Sequence, residues 1–563
     1  MKSMSDIKGY FINRKKSILV LLVIIVLGII LGSITPYLYG VILDNVVQGN
    51  IERIRVLVIC FFGINVLLTI TSRIESILGE KLSIKLNNDI KKQIFGRMVL
   101  ITAKSNDKYN GGELISRLDS DSGIIVTYYL DLITSSIMIV FNLCISLYFL
   151  IKISKGLTIV SVFLFPFSYL VNFIFKNKVK LYDIAKKKLN DNYFKLLNEM
   201  LNNLKGIKIL QLENRCTKIF ESILEDMYNL SKKSIYLSSI ISFLQELLNS
   251  IFEIIIIYLS AVFIINDVIT IGNMVSFNTY LQKLFSTISK LLSINISKQS
   301  VVVSMDRIQE LEKDDFEIHD NSNGLLVKQI EFANVCFSFD KKEILCDLNF
   351  KIAENGLYSI VGKNGSGKTT ILNIISKLYE CNKGEVNFNG QNTKDLSIDC
   401  VRNSISYMMK NTIIVNDTVM ENLKLGINRE LTDKEVYEVC KLIHLHDFIM
   451  SIGGYEVNIN SETLSSGQKQ KIGFVRMLLK RANVILLDEI TSDLDGEAEQ
   501  LVLSILKKIS NSSIIINVCH KKVFVENSKK IFVLNNGKIE MAGTQTELEK
   551  RSKTFQELFC NSQ

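Results

Sequence analysis

The stretch Gly362-Lys363-Asn364-Gly365-Ser366-Gly367-Lys368-Thr369-Thr370 matches the phosphate-binding pattern G-x-x-x-x-G-K-[ST] at every fixed position. An apolar run at 357–361 precedes it, and helix-like apolar spacing follows from Ile371 to Leu378. This strand–loop–helix context favours a phosphate-binding loop over a chance match in a glycine-rich loop. We expect backbone N–H groups of the loop to surround phosphates, Lys368 to reach the β/γ-phosphates and the Thr369 hydroxyl to bind Mg²⁺. By itself the motif predicts an NTPase and no more.

The overall composition indicates a membrane protein of several domains. The chain has 563 residues, 48% of them hydrophobic, and a mean hydropathy of +0.24. The net charge of +9 comes from lysines and arginines that lie mostly at the N-terminus and between apolar runs. That placement favours orientation in a membrane over nucleic-acid binding. The ten cysteines contain no C-x-x-C pair, which argues against zinc or structural disulfides and indicates a reducing compartment.

The first half contains six apolar runs, each close to the length that crosses a bilayer. They lie at 17–43, 55–74, 129–151, 157–175, 237–265 and 269–294. The first contains Pro36, so we expect that helix to be broken or bent there. Basic residues before the first run and in the long connections 75–128 and 176–236 place these segments, and the C-terminal half, in the cytoplasm.

The two long connections have apolar residues at helical spacing, which predicts that the membrane helices extend into the cytoplasm. Glycines at 111, 112 and 206 mark possible bends.

Four charged residues lie inside the last two apolar runs. Glu246 and Glu253 are seven residues apart, as are Lys283 and Lys290. Charged side chains in a membrane span usually pair or face water, so we expect them to line or close an aqueous cavity. The alternative is a set of structural ion pairs with no role in substrate binding.

Further motifs follow in the second half. The buried-strand run 484–489 ends in Asp488 and Glu489, which suit the outer shell of Mg²⁺ and a base that polarises the attacking water. The sequence Leu464-Ser465-Ser466-Gly467-Gln468 precedes a helical run, with Ser465 or Ser466 as N-cap and a second anion site at the helix start. Ser492-Asp493-Leu494-Asp495 and a strand at 513–518 that leads to Cys519-His520 complete the order.

This order of motifs resembles the nucleotide-binding domain of ABC transporters, and the first half resembles the exporter type. Landmarks of the exporter type lie at 35–44, 112–118, 272–281, 306–308 and 536–544. The resemblance implies a membrane α-helical bundle of six transmembrane helices with long cytoplasmic extensions, followed by an α/β P-loop NTPase domain. We expect a transmembrane domain at 1–310, a linker at 311–326 and an ATP-binding domain at 327–563.

The resemblance also implies the roles of individual residues. Two ATP-binding domains would close head to tail on two ATP molecules, with Ser465, Ser466, Gly467 and Gln468 of one chain facing the phosphate loop of the other. Phe339 stands where the family usually has a tyrosine stacked on adenine. Glu489 and His520, with Lys368, would be catalytic, Asp495 would report across the dimer, and Thr369 and Asp488 would serve the metal. Closure would move the helix ends near 112–121 and 207–213.

Three positions depart from the family pattern. Lys410 stands where the family has a glutamine; an ammonium group can only donate hydrogen bonds and is repelled by a metal ion, so it could contact phosphate instead. Ser466 replaces a frequent glycine. The segment 456–463 looks shorter than usual and lacks G-E-x-G.

The sequence therefore predicts ATP-driven export of a peptide, drug-like molecule or lipid by alternating access across a cytoplasmic membrane. We expect a homodimer, or else a heterodimer with a second half-transporter, working in a lipid bilayer with ATP and Mg²⁺ and without nucleic acid. A soluble DNA- or ribosome-associated ATPase would lack the six spans. An ATP-gated channel or nucleotide sensor with weak hydrolysis is the alternative that Lys410 supports.

Overall fold

The computed structural model describes residues 7–109, 111–339, 342–490 and 496–559. The chain divides into two compact units. One contains residues 1–94 and 115–312, and the other contains residues 95–114 and 313–563.

The first unit is built from long helices. They are α1 (Ile7–Asn13), α2 (Lys15–Val47), α3 (Ile51–Leu100), α4 (Ala103–Asn106), α5 (Gly111–Ser116), a π-helical turn (Arg117–Asp121), α6 (Ser122–Ile153), α7 (Lys155–Asn202), α8 (Leu204–Ile209), α9 (Glu213–Ile265) and α10 (Ile271–Lys313), of which α4 and parts of α3 and α5 belong to the second unit. The 50 residues of α3 make a helix of about 75 Å. A bilayer core is only about 30 Å thick, so the helix is long enough for the predicted extension into water.

Four of these helical stretches are long and apolar enough to cross a membrane, judged by length and composition over the described residues: Lys15–Val47, Ile51–Leu100, Gly111–Ile153 and Glu213–Ile265. The other two predicted spans fall within α7 and α10, where the side chains at 164–170 and 292–297 lie outside the described part.

The sequence predicts a break or a bend at Pro36. Helix α2 is not broken there but continues through the proline. Proline has no N–H, so the carbonyl of Gly32, four residues earlier, loses its usual helical donor. The ammonium group of Lys283 on α10 donates to this carbonyl at 2.6 Å, and the Thr35 hydroxyl does so at 3.1 Å. The helix therefore tolerates a proline because another helix supplies the missing donor.

The same contact bears on the alternative of structural ion pairs, while the expected aqueous cavity stays a prediction. Among the described side chains Lys283 and Glu253 do not pair with each other; Glu253 accepts a hydrogen bond from the Asn278 amide at 3.0 Å. Lys283 serves a main-chain carbonyl because Pro36 left that acceptor without its donor.

Helices α2 and α10 make a close crossing at their glycines. A Cβ atom added to Gly272 would lie 1.9 Å from the Gly40 carbonyl oxygen. Asp44 accepts from the Gly272 N–H at 2.8 Å and from the Thr270 hydroxyl at 2.7 Å. The small residues let the backbones approach, and the carboxylate satisfies the start of α10.

The second unit contains two larger sheets and a short two-stranded one. Its strands are β1 (Ile330–Phe339), β2 (Lys342–Ile352), β3 (Gly356–Gly362), β4 (Lys383–Phe388), β5 (Gln391–Asn392), β6 (Ile405–Met408), β7 (Asp417–Thr418), β8 (Asn458–Ile459), β9 (Val484–Asp488), β10 (Ile514–Val518), β11 (Lys530–Asn535) and β12 (Lys538–Gly543). Its further helices are α11 (Lys368–Ile375), α12 (Ile398–Ser404), α13 (Val419–Lys424), α14 (Asp433–Leu442), α15 (His446–Ser451), α16 (Ser466–Lys480), α17 (Gly496–Ile509), α18 (Lys522–Glu526), α19 (Gln545–Arg551) and α20 (Lys553–Phe559).

The six-stranded sheet has the order β12-β11-β3-β10-β9-β6, and every pair except β11–β12 is parallel. Strands β3, β9 and β10 are buried along their whole length, which explains their continuous apolar sequences. Neighbouring parallel strands end at the same edge, so the residues that follow them meet there.

The segment 95–114 belongs to this second unit although it precedes it by 200 residues in the chain. Ile101 forms a β-bridge with Phe316, and the Thr102 N–H donates to the Asp315 carbonyl at 3.0 Å. Lys108 pairs with the buried Asp314 carboxylate at 3.0 Å. The connection between α3 and α6 is thereby tied to the segment that leads into β1.

Candidate functional site

The predicted site residues meet at the carboxyl edge of the parallel sheet. The phosphate loop follows β3, Asp488 and Glu489 end and follow β9, and His520 follows β10 by two residues. Lys410 follows β6 by two residues. Four neighbouring strands thus deliver a loop, two acids, a histidine and a lysine to one place.

The phosphate loop has the backbone that only glycine permits easily. Gly367 has φ +105°, and a Cβ atom there would lie 2.7 Å from Leu345. A Cβ atom on Gly362 would lie 2.3 Å from the Leu534 carbonyl oxygen. Ser366 is buried, and its hydroxyl has no hydrogen-bond partner among the described residues. A buried hydroxyl without a partner in this glycine-rich loop fits a bound phosphate.

Lys368 lies inside the loop that it closes. Its ammonium group donates to the carbonyls of Gly362 at 2.9 Å and Lys363 at 3.1 Å. Burial lowers the pKa of Lys368, while the nearby Glu489 and Asp488 carboxylates oppose this shift. A phosphate would add negative charge beside an ammonium group whose hydrogen bonds, within the described part of the chain, go to carbonyls.

The two acids after β9 differ in environment. Asp488 is buried and accepts a hydrogen bond from the Thr369 hydroxyl at 3.1 Å. Burial raises the pKa of Asp488. The pairing of a hydroxyl and a carboxylate oxygen suits a hard cation such as Mg²⁺. Glu489 has φ +51°, and its N–H donates to Val518 at 3.0 Å, so the acid is held on a tight turn.

Lys410 contacts Glu489 directly, which the sequence did not predict. The Lys410 ammonium lies 2.6 Å from one Glu489 oxygen, and His520 Nε2 lies 3.5 Å from the other. The hydrogen bond from Lys410 is the main reason that the pKa of Glu489 is lowered. Burial, and then the Lys368 charge, lower the pKa of His520, which favours a neutral imidazole at neutral pH.

Phe339 lies at the end of β1 in an aromatic cluster. Its ring meets Tyr379 edge-on, with centroids 5.2 Å apart, and Phe337 at 4.9 Å. The Tyr379 hydroxyl donates to Asp107 of the segment 95–114 at 2.8 Å. The candidate adenine contact is therefore one side chain away from the connection between α3 and α6.

The remaining predicted residues are the stretch 465–468 and Asp495. Ser465 is the N-cap of α16 and forms a reciprocal capping box with Gln468, while Ser466 and Gly467 begin the helix. These residues are exposed or half-buried. Asp495 lies outside the described residues.

Sequence reasoning missed three contact residues. Glu557 on α20 pairs with Lys363 of the phosphate loop at 2.7 Å, and Tyr379 and Asp107 link the site to the segment 95–114. Nothing in the local pattern indicates Glu557, because its partner is almost 200 positions away. The tyrosine follows the loop's helix and could have been noted as an aromatic neighbour.

Both halves of the chain are similar to known proteins. Residues 18–288 match the family model described as ABC transporter transmembrane region, and residues 345–492 match the ABC transporter model. A structure described as a bacterial Atm1-family ABC exporter with ATP bound superimposes with a TM-score of 0.83 at 20% identity, covering 97% of this chain and 98% of that one.

Curated relatives are similar over almost their whole length. A Streptococcus pneumoniae protein named as an ABC transporter ATP-binding protein is 25% identical, covering 94% of this chain and 92% of its own. A Staphylococcus aureus protein named as a multidrug export ATP-binding/permease protein is 27% identical, covering 95% and 96%. The chain is thus a multi-pass membrane protein that belongs to the ABC transporters of the exporter type, with helices fused ahead of an ATPase coupled to transport.

Proposed function

We propose that two copies of this chain export a drug-like molecule across a bacterial cytoplasmic membrane by alternating access. The convergence of the phosphate loop, Asp488, Glu489 and His520 at one sheet edge carries this proposal. The exposure of Ser465 and Ser466 supports head-to-tail closure, since a second chain can reach them. The multidrug names of relatives favour a drug-like substrate over a peptide or lipid. A heterodimer with a second half-transporter is the alternative assembly.

We assign each site residue a role from its position. Lys368 and the loop from Gly362 to Thr370 bind the phosphates, and Phe339 contacts adenine. Thr369 and Asp488 hold Mg²⁺, which when bound offsets charge on the phosphates. Glu489 polarises the attacking water, and neutral His520 hydrogen-bonds beside it.

We also propose the domain division 1–310, 311–326 and 327–563, with the N-terminus and the ATP-binding domain in the cytoplasm. The compact unit that resumes at Lys313 supports it, with the addition of residues 95–114. The contact of Tyr379 with Asp107 supports a route from nucleotide to the helices.

ATP turnover by the purified chain in lipid tests the proposal. We expect Glu489→Gln to lower turnover by about 100-fold or more, because it removes the base while retaining the shape. Drug-like compounds should stimulate the unmodified chain in a concentration-dependent way. Equal ATP turnover by the unmodified chain and by Glu489→Gln would contradict the assignment of Glu489 as the base.

The Lys410–Glu489 ion pair favours a second candidate, an ATP-gated channel or sensor with weak hydrolysis, since it occupies the base. Vesicles that contain the chain distinguish the two. A channel passes ions down their gradient when a non-hydrolysable ATP analogue is added, whereas an exporter accumulates substrate only with hydrolysable ATP.

A further inference from the structure

A second cluster of ligand atoms lies away from the nucleotide site, on the hairpin formed by β1 and β2. The Sγ atoms of Cys336 and Cys346 and a carboxylate oxygen of Glu343 all lie within 4.8 Å of one another. Both cysteines are half-buried free thiols, and Glu343 is exposed.

The local backbone explains how these side chains meet. Val335 pairs with Leu348 but Phe337 pairs with Leu345, so two residues of β2, Cys346 and Asp347, oppose Cys336 alone. This β-bulge brings the two thiols to the same face of the hairpin, opposite to the buried Phe337 and Leu345. The Asp347 N–H donates to the Cys336 sulfur at 3.3 Å, which holds this sulfur on the hairpin beside Cys346.

We propose that Cys336, Glu343 and Cys346 form a binding site for a thiophilic divalent cation of the Zn²⁺ class. Two sulfurs and one oxygen are a ligand set that zinc accepts, with a fourth position open to water. Sulfurs around tetrahedral zinc lie about 3.8 Å apart, as follows from Zn–S bonds of about 2.3 Å. The observed limit of 4.8 Å therefore requires only small side-chain rotations.

The electrostatics agree with a cation at this position. Burial, and then the Glu343 carboxylate, raise the pKa of the Cys346 thiol, with the nearby Lys538 acting in the opposite sense. A divalent cation reverses this balance, because it stabilises both thiolates and the carboxylate together. Two thiolates and one carboxylate leave a single negative charge around Zn²⁺, which Lys538 offsets.

This site differs in chemistry from the proposed Mg²⁺ site. Mg²⁺ requires oxygen ligands in an octahedron, whereas thiolates select zinc, cadmium or cuprous ions. The two sites should therefore fill independently, and this inference does not rest on the proposed transport activity.

Metal binding by the reduced full-length chain in lipid nanodiscs is the test. We expect each chain to bind one Cd²⁺ tightly, seen as thiolate-to-cadmium charge-transfer absorption. Zn²⁺ should bind as well, which is measured by letting the protein compete for Zn²⁺ with a chromophoric chelator. Zn²⁺ binding should release the protons of both thiols. Substitution of a residue that only supports a metal ligand weakens metal binding by roughly 10- to 100-fold. Cys336→Ser and Cys346→Ser remove ligands, so we expect each to weaken binding by more than that. Glu343→Gln should weaken it while leaving the sulfur absorption.

Cys216→Ser is the matched control, because Cys216 is also half-buried but lies on α9. Turnover of MgATP by each variant in buffer free of Zn²⁺ and Cd²⁺ shows that it has folded. Equal metal affinity and stoichiometry in the original chain and in the double variant Cys336→Ser/Cys346→Ser would overturn the proposal. So would a Cys336–Cys346 disulfide in protein prepared without oxygen.

Discussion

Lys410 Nζ lies 2.6 Å from Oε2 of Glu489. The lysine follows β6 and the glutamate follows the neighbouring parallel strand β9, so the charge of one side chain neutralises that of the other. From the sequence, the alternative partner for Lys410 is phosphate. Because Lys410 contacts the proposed base, a change at position 410 should act on the pKa of Glu489.

Replacing Lys410 should move the pH dependence of turnover. The ammonium lowers the pKa of Glu489, so the carboxylate stays ionised to lower pH than it would alone. In Lys410→Gln we expect the acid limb of kcat/KM, which reports the free enzyme, to move to higher pH, because the pKa of Glu489 loses the cause that mainly lowers it. Lys410→Arg, which retains the charge, should behave as the original chain. Identical acid limbs in all three would refute the role of the ion pair.

Lys283 and Pro36 should be energetically coupled. Lys283→Met removes one donor from the Gly32 carbonyl and should cost about 1–3 kcal/mol. Pro36→Ala restores the N–H that this carbonyl lacks, so the lysine should matter less in that background. We expect a coupling of at least about 0.5 kcal/mol from the thermal unfolding midpoints of the double-mutant cycle. Strict additivity would show that the lysine acts through another contact.

The crossing of α2 and α10 should not accept a methyl group. Gly272→Ala places a Cβ atom 1.9 Å from the Gly40 oxygen, and we expect a loss of about 1–3 kcal/mol or more. Gly63→Ala on α3 is the control, because nothing lies within 4 Å of that position. The control should be neutral or stabilising, by up to about 1 kcal/mol. The measurement is the unfolding midpoint of Gly272→Ala and of Gly63→Ala in the same detergent. Equal midpoints would disprove the close approach of the two helices.

Tyr379→Phe should loosen the segment 102–109 without disturbing the aromatic cluster. The variant loses the hydrogen bond to Asp107 but retains the ring that meets Phe339. A bond worth about 0.5–1.5 kcal/mol corresponds to amide exchange up to about tenfold faster in that segment. Tyr358→Phe, whose hydroxyl binds Glu354 instead, serves as the control. Unchanged exchange in Tyr379→Phe would mean that other contacts hold the segment.

The sequence predicted what local patterns encode. The apolar runs predicted at 357–361, before the phosphate loop, and at 484–489 fall on β3 and β9. Continuous apolar runs and glycine spacing determine these elements locally, and the parallel order then brings their ends together.

Contacts between distant positions could not be predicted in the same way. From the sequence, Lys283 is expected to face water or to form an ion pair, because charge alone suggests only these two environments. Its actual partner is a carbonyl left without a donor by a proline 247 positions earlier, and only the packing of α2 on α10 makes this visible. Cys336 and Cys346 likewise show no metal-binding spacing, because a bulge rather than a short motif brings them together.

The bridge between Ile101 and Phe316 has a consequence for how such chains recombine. A gene fusion that exchanges the ATPase at residue 313 would separate Asp107 from Tyr379 and Lys108 from the aspartate at 314 or its replacement. A recombinant that takes its ATP-binding domain from another exporter must therefore also take residues 95–114 from it. Otherwise compensating substitutions are needed in both of the joined parts.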